Sequence, residues 1–188
     1  MTTSVEKPAD LWEEISPSAY RKALSNVPTS VVVASTMLDE RPIGMVIGTF
    51  STVSMEPPLV GFFGDHRSTT LVPLLQSSHI TFSLLRQQDL EICEAFQLPV
   101  EQRFDNIPWS VSEFGTPVIG GAALVVHTRL HQVLQAGDHK CVLAEVVRIS
   151  ATGQAARPLV FYKHRLSRLD PGQLLDDEMW QLGWHELG

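Results

Sequence analysis

Apolar positions set the first boundary in this chain. Tyr20, Leu24 and Val27 recur at helical spacing in "SPSAYRKALSNVP", with Ser16 placed to cap, Pro17 in the first turn and Pro28 as the stop. The pattern then changes. "SVVVAST" is β-branched and apolar and predicts a buried strand. "MLDER" reads as a turn, and "PIGMVIGTFS" as a second strand that forms a hairpin with the first. "PPLVGFFG" is a third strand. "RSTTLVPLLQSS" predicts a short helix that starts near Thr70, because Pro73 is tolerated only in a first turn. "HITFSLL" is a strand, and "QQDLEICEAF" is an amphipathic helix with Leu90, Ile92, Cys93 and Phe96 facing inward. A long irregular connection over 97–117 follows. Two long strands, "AALVVHTRLHQVLQ" and "HKCVLAEVVRIS", join across "AGD", and "RPLVFYKH" is the last strand.

This gives seven or eight strands and three or four short helices. Strands at short intervals with hairpin turns predict a mainly β fold, an antiparallel, Greek-key-like barrel with short helices and not a βαβ sheet. One domain over 16–170 is expected, with a tether over 1–15 and a tail over 171–188. Trp180 and Trp184 stand four apart in the tail, spacing for a short helix that packs on the body or on a partner. No GxGxxG fingerprint is present.

Composition narrows the function. Of 188 residues, 44% are apolar and 19% charged, an ordinary globular balance. The net charge of −7 and the lack of a basic cluster argue against nucleic-acid binding. No apolar run approaches the ~20 residues of a membrane helix. "MTTSVEKPAD" lacks the basic start and apolar stretch of a secretory signal, so a cytoplasmic protein is expected. Cys93 and Cys141 then read as free thiols. His127 and His131 are four apart on a predicted strand, which puts them on one face but some way apart, a weak metal pattern. No metal is expected.

Candidate chemistry gathers in three places. "GTFSTVSMEPPLVGF" (48–62) holds four hydroxyls within six positions, Thr49, Ser51, Thr52 and Ser54, before two prolines. Ser68, Thr69 and Thr70 at a predicted helix start, with Arg67 beside them, offer amides, hydroxyls and a cation to an anion. Helix capping alone also explains such a cluster. His139 follows Gly137 and Asp138 at the start of a strand.

Read in order, these segments resemble the flavin reductase-like family, the small reductase components of two-component flavin-dependent monooxygenases. The resemblance rests on Pro28-Thr29-Ser30-Val31, "GMVIGTFSTVSMEPPL", "RSTT", "FSLL", "QQDLEICEAF", Phe104 with Trp109, "GDH" and "PLVFY". It spans about residues 17 to 168. It implies an FMN-binding split barrel that works as a homodimer, with FMN or FAD near the subunit interface and NADH or NADPH as hydride donor. The matching positions Pro28, Thr29, Ser30, Val46, Ile47 and Gly48 would then face the flavin. So would Thr49, Ser51, Thr52, Val53, Ser54 and Ser83, with Arg67, Ser68 and Thr70 at its phosphate. Gly137, Asp138 and His139 would form the nicotinamide site, with His139 as the catalytic residue. Neutral donors suit a ring that accepts hydrogen bonds and carries charge once reduced.

Four positions depart from the family pattern: Ser30 for Gly, Val46 for Thr, Gly48 for Ser and Ser83 for Asn. They predict weaker flavin binding, a changed flavin preference or a reshaped pocket. The expected activity is NAD(P)H:flavin oxidoreduction, with reduced flavin passed to a partner monooxygenase. Two alternatives stand beside it: an enzyme that keeps its flavin and acts directly on a small molecule, and a non-catalytic flavin-binding protein. No Arg pair for a 2′-phosphate stands out, which leans toward NADH.

Overall fold

The computed structural model describes residues 15–151 and 157–169. Residues 1–14 of the predicted tether and the Trp180/Trp184 tail lie outside the described residues. In chain order the elements are α1 (Pro17–Leu24), β1 (Thr29–Ser30), β2 (Val32–Leu38), β3 (Arg41–Ile47), β4 (Ser51–Met55) and β5 (Pro58–Asp65). Next come α2 (Leu71–Gln76), β6 (His79–Leu84), α3 (Leu90–Ala95), a 3₁₀ turn (Val100–Gln102), β7 (Trp109–Val111) and β8 (Pro117–Ile119). The long pair β9 (Leu124–Ala136) and β10 (His139–Ala151) precedes β11 (Leu159–Tyr162) and β12 (Arg165–Arg168).

The main sheet has seven strands in the order β3-β2-β6-β9-β10-β5-β4, and every pairing in it is antiparallel. Its two edge strands, β3 and β4, are consecutive in the chain. Six inter-strand steps would put the edges of a flat sheet about 29 Å apart. The four steps from Ile47 to Ser51 reach only about 14 Å. The sheet must therefore curl until its edges meet, and residues 48–50 cross the seam. That is the predicted barrel, and the crossing is the hydroxyl-rich segment.

β2 is buried on both faces, and alternation divides its side chains between two cores. Val32 and Ala34 join Phe62, Ile80, Phe82 and Val142 inside the barrel. Phe82 is the hub there, with Phe50 and Phe62 at ring separations of 5.0 and 5.7 Å. Val31 and Val33 pack outside with Ile92, Cys93, Phe96, Phe104 and Ile119.

Several expectations need correction. The helix at α1 forms, and Ser16 Oγ accepts from the Ala19 N–H as a cap. Its apolar stripe, however, does not face the core. Tyr20, Leu24 and Val27 are 57%, 47% and 57% exposed. Leu90 is likewise exposed, unlike Ile92, Cys93 and Phe96. The strand expected over 42–51 stops at Ile47, because the chain there leaves one edge for the other. β4, β7, β8 and β12 arise in segments where the sequence predicts no separate strand. Ladders of three to five residues are too short to show a period. His127 and His131 do not share a face: His131 is the extra residue of a β-bulge, exposed where His127 is buried. Among the described residues no helix is long and apolar enough to cross a membrane, and no cluster of three or more potential metal ligands occurs.

A buried polar chain pins the β7–β8 hairpin to the sheet. His127 Nδ1 meets Thr81 Oγ1 at 2.9 Å, and the Thr81 hydroxyl in turn pairs with Thr116 and through it with Ser112. Phe114 covers the site between the rings of His79 and His127, and Glu113 and Arg148 pair nearby. Burial pushes the His127 pKa below its ordinary 6.5. The unfolded chain therefore takes up this proton at higher pH than the folded one, so stability falls as the pH drops through 6.5. The melting temperature is expected to decline between pH about 7.5 and about 5.5, and His127→Gln to flatten that decline. Equal slopes in the two proteins would contradict the assignment.

Candidate functional site

The crossing between β3 and β4 organises the site. At Thr49 the backbone has left the ladder, and the side chain takes over its bonding. Thr49 Oγ1 accepts from the Phe63 N–H at 2.9 Å and donates to the Phe63 carbonyl at 3.0 Å, which clamps the crossing to β5. One of the four sequence-predicted hydroxyls is therefore structural. Ser51, Thr52 and Val53 are exposed on β4 and Ser54 is half-buried, on an edge that no described strand covers. A bulge at Val53 interrupts the β4–β5 register there.

On one side of the crossing lies a cleft of about 340 Å³ lined by Ser30, Val46, Ile47 and Gly48. These four sequence-predicted residues meet others that the sequence reading did not place in a site. Cys93, Phe96 and Gln97 come from α3 and its end, and Phe161 and Leu166 from the β11–β12 hairpin. The walls are mainly apolar, and among the described residues no charged side chain lines them. A Cβ at Gly48 would stand 2.9 Å from Thr29 Oγ1, so the residue type lets β1 and the crossing approach closely. Burial, with Asp89 and Glu94 nearby, pushes the Cys93 thiol pKa up, which keeps it protonated and unreactive. Pro28 is exposed just before β1 and Thr29 is half-buried within it.

On the other side lies a groove of about 720 Å³. Thr49, Phe63, Asp138 and His139 line it from the barrel, and Pro17, Tyr20 and Arg21 from α1. Gly137, at φ +63°, forms the tight β9–β10 turn that projects Asp138. His139 Nδ1 lies 2.7 Å from Asp138 Oδ1, and this bond holds the Asp138 carboxyl below its ordinary pKa. A second turn meets the first: the His66 N–H donates to the Asp138 carbonyl. His139 is also paired in register with Asp65.

The expected phosphate site is only partly available. Arg67 forks onto Asp65, Nη2 to Oδ2 at 2.6 Å and Nε to Oδ1 at 3.0 Å, and holds that carboxyl well below the usual carboxylate range. Ser68 Oγ accepts from the Leu71 N–H. Thr70 is buried and its hydroxyl accepts from Arg103 Nη1 at 3.1 Å. Ser83 joins neither opening. It is fully buried, and its Oγ accepts from the Ile119 N–H at 3.3 Å. Of the four departures from the family pattern, Ser30, Val46 and Gly48 thus share one cleft and Ser83 is a core residue.

The arrangement sets a mainly apolar cleft and a polar groove with a His–Asp pair at either side of one backbone crossing. Such a pair suits a bound planar group and a proton carrier beside it.

Known proteins match this chain along most of its length. A family model described as flavin reductase like domain matches residues 24–170. A flavin reductase of Pseudomonas putida is 31% identical over 150 residues, covering 79% of this chain and 88% of its own. The reductase subunit HsaB of a flavin-dependent monooxygenase from Mycobacterium tuberculosis is 28% identical over 159 residues, covering 84% and 85%. The structure of the Streptomyces globisporus C-1027 NADH:FAD oxidoreductase SgcE6, in complex with NAD and FAD fragments, superposes with a TM-score of 0.79 at 25% identity. That match covers 86% of this chain and 99% of the other.

Proposed function

Because the chain belongs to the flavin reductase-like family, we propose that it is an NAD(P)H:flavin oxidoreductase that passes hydride to FMN or FAD and hands reduced flavin to a partner monooxygenase. The observation that carries this reading is the shared crossing. Val46, Ile47 and Gly48 line the cleft and Thr49 lines the His139 groove, so both openings are bounded by one stretch of backbone.

The residues present fit a flavin. The cleft offers apolar faces from Val46, Phe96 and Phe161 for a flat ring, and Gly48 leaves room at its backbone. Ser51 and Ser54 offer hydroxyls on one face of β4 to a polyol chain, while Thr52 pairs with Val60 on the other face. Ser68 and Arg67, near Thr70, are the groups that would meet a phosphate, Arg67 in competition with Asp65. A flavin supplies the two-electron acceptor when bound. The chain's own task is alignment, since hydride transfer needs two rings in contact and little else. Gly137 and Asp138 shape the nicotinamide end of the groove. Asp138 fixes the His139 ring through Nδ1, which leaves Nε2 to position the nicotinamide amide or to hold the proton that accompanies reduction. Val46 and Gly48 bring no hydrogen bond where the family pattern has hydroxyls, which favours modest flavin affinity. A protein that must release its product needs no more.

A homodimer completes this reading. Tyr20 and Leu24 on α1, Val27 just beyond it, and Val53 and Met55 on β4 are large apolar side chains left exposed, surface of the kind a second subunit would cover.

The test is absorbance of the reduced nicotinamide, with NADH and free FMN or FAD added in turn, then with NADPH. Flavin-dependent loss of signal is expected. A protein that consumes neither nicotinamide with either flavin is not a reductase, and a flavin that stays bound through gel filtration would point to an enzyme acting directly on a small molecule.

A further inference from the structure

From the groove beside His139 we infer that Arg21 holds the pyrophosphate of the nicotinamide dinucleotide, and so fixes where the hydride donor lies. The inference rests on the reductase reading above. Arg21 stands on α1 and lines the same groove as Thr49, Asp138 and His139. Four of the other arginines described are committed to carboxylates: Arg67 to Asp65, Arg86 to Asp89, Arg129 to Glu145 and Arg148 to Glu113. Arg103 is committed to the Gly44 and Leu98 carbonyls and to Thr70. Among the described residues Arg21, like Arg41, Arg157, Arg165 and Arg168, has no side-chain partner, and of these five it is the one that lines this groove.

Charge gives the position its meaning. The groove carries the Asp138 carboxylate, kept ionised by His139, and a dinucleotide brings two more negative charges. Without a cation this wall would repel the ligand that the His–Asp pair is placed to receive. Arg67 is nearby but its fork is filled by Asp65, so Arg21 is the lining guanidinium free to take a phosphate in bidentate fashion. The groove, at about 720 Å³, is in the size range of small-molecule sites. α1 buries none of its side chains in this chain, so the Arg21 side chain has no packing task that would explain its placement.

A flavin phosphate has the same chemistry, so the experiment separates the two sources. Arg21→Gln is compared with wild type using NADH and using 1-benzyl-1,4-dihydronicotinamide, a hydride donor without phosphate. The expected result is a rise of about tenfold in the KM for NADH, with kcat nearly unchanged. The variant and wild type should be equal with the phosphate-free donor. Wild-type KM should climb with salt more steeply than that of the variant, and Arg21→Lys should recover part of the loss. An unchanged KM for NADH overturns the inference while leaving the reductase reading intact. So does a loss that persists with the phosphate-free donor, which would mean a structural role. Weakened flavin binding at unchanged NADH KM, read by flavin fluorescence, would assign Arg21 to the flavin instead. A wild-type protein that oxidises neither donor with any flavin removes the reductase reading, and this inference with it.

Discussion

His139→Ala is expected to slow flavin reduction about hundredfold at saturating NADH, the scale of a lost general acid or base. The ring sits half-buried at the groove wall with Nδ1 bound to Asp138, so one nitrogen is fixed and the other is presented. Asp138→Asn keeps the shape of the pair and removes its charge, and a smaller loss, about tenfold, is expected. The carboxyl titrates below its ordinary value because His139 binds it. A depressed carboxylate pKa means that the pairing contributes above the ordinary range and is lost as the pH falls through the lowered value. Asp138 is therefore a working anion throughout the neutral range. Rapid-mixing measurement of the loss of visible flavin absorbance checks both variants. A His139→Ala rate within about twofold of wild type would leave alignment alone to explain the catalysis.

The second large effect belongs to Gly48. Its Cβ would meet Thr29 Oγ1 at 2.9 Å, and Gly48 lines the cleft that we assign to the flavin ring. Gly48→Leu is expected to weaken flavin binding about hundredfold, in line with the cost of overfilling a packed site. Gly48→Ala should show a smaller loss, relieved in part by Thr29→Ala, since the Thr29 hydroxyl is the obstacle. Fluorescence titration of FMN and FAD reads the affinity, and the melting temperature controls for damage to the fold. Full flavin affinity in Gly48→Leu would move the ring out of this cleft.

Much of the fold was legible because long strands advertise themselves. "SVVVAST", "HITFSLL" and the pair across "AGD" carry enough β-branched and apolar residues to be read without neighbours. The short elements were not, since β7, β8 and β12 exist through the tertiary contacts of Trp109, Ile119 and the Lys163–His164 turn. The candidate site was read as an ordered set of motifs, of which Thr49, Asp138 and His139 line one groove. Its depth was hidden. Nothing local distinguishes Ser83, which points into the core, from Ser51, which stands on an open edge. Arg21 was hidden for the same reason: as a charge on an amphipathic helix it reads as solvated, and only the folded groove shows what it faces. Arg67 shows the converse, an apparent ligand for phosphate whose nearest carboxylate is two residues away.

The crossing from Ile47 to Ser51 also limits how this chain can vary. Its length is dictated by closure: the two rims of the sheet must be spanned, and Thr49 is measured to reach Phe63. An added residue would slacken the seam and a removed one would pull the rims out of register. The identity of residue 46 carries no such duty, because its side chain lines the cleft, whereas residue 48 is held to glycine by the close approach of Thr29. Geometry is rigid where chemistry is permissive, so new cofactor or substrate preferences can arise by substitution at this seam without a change in the barrel that presents it.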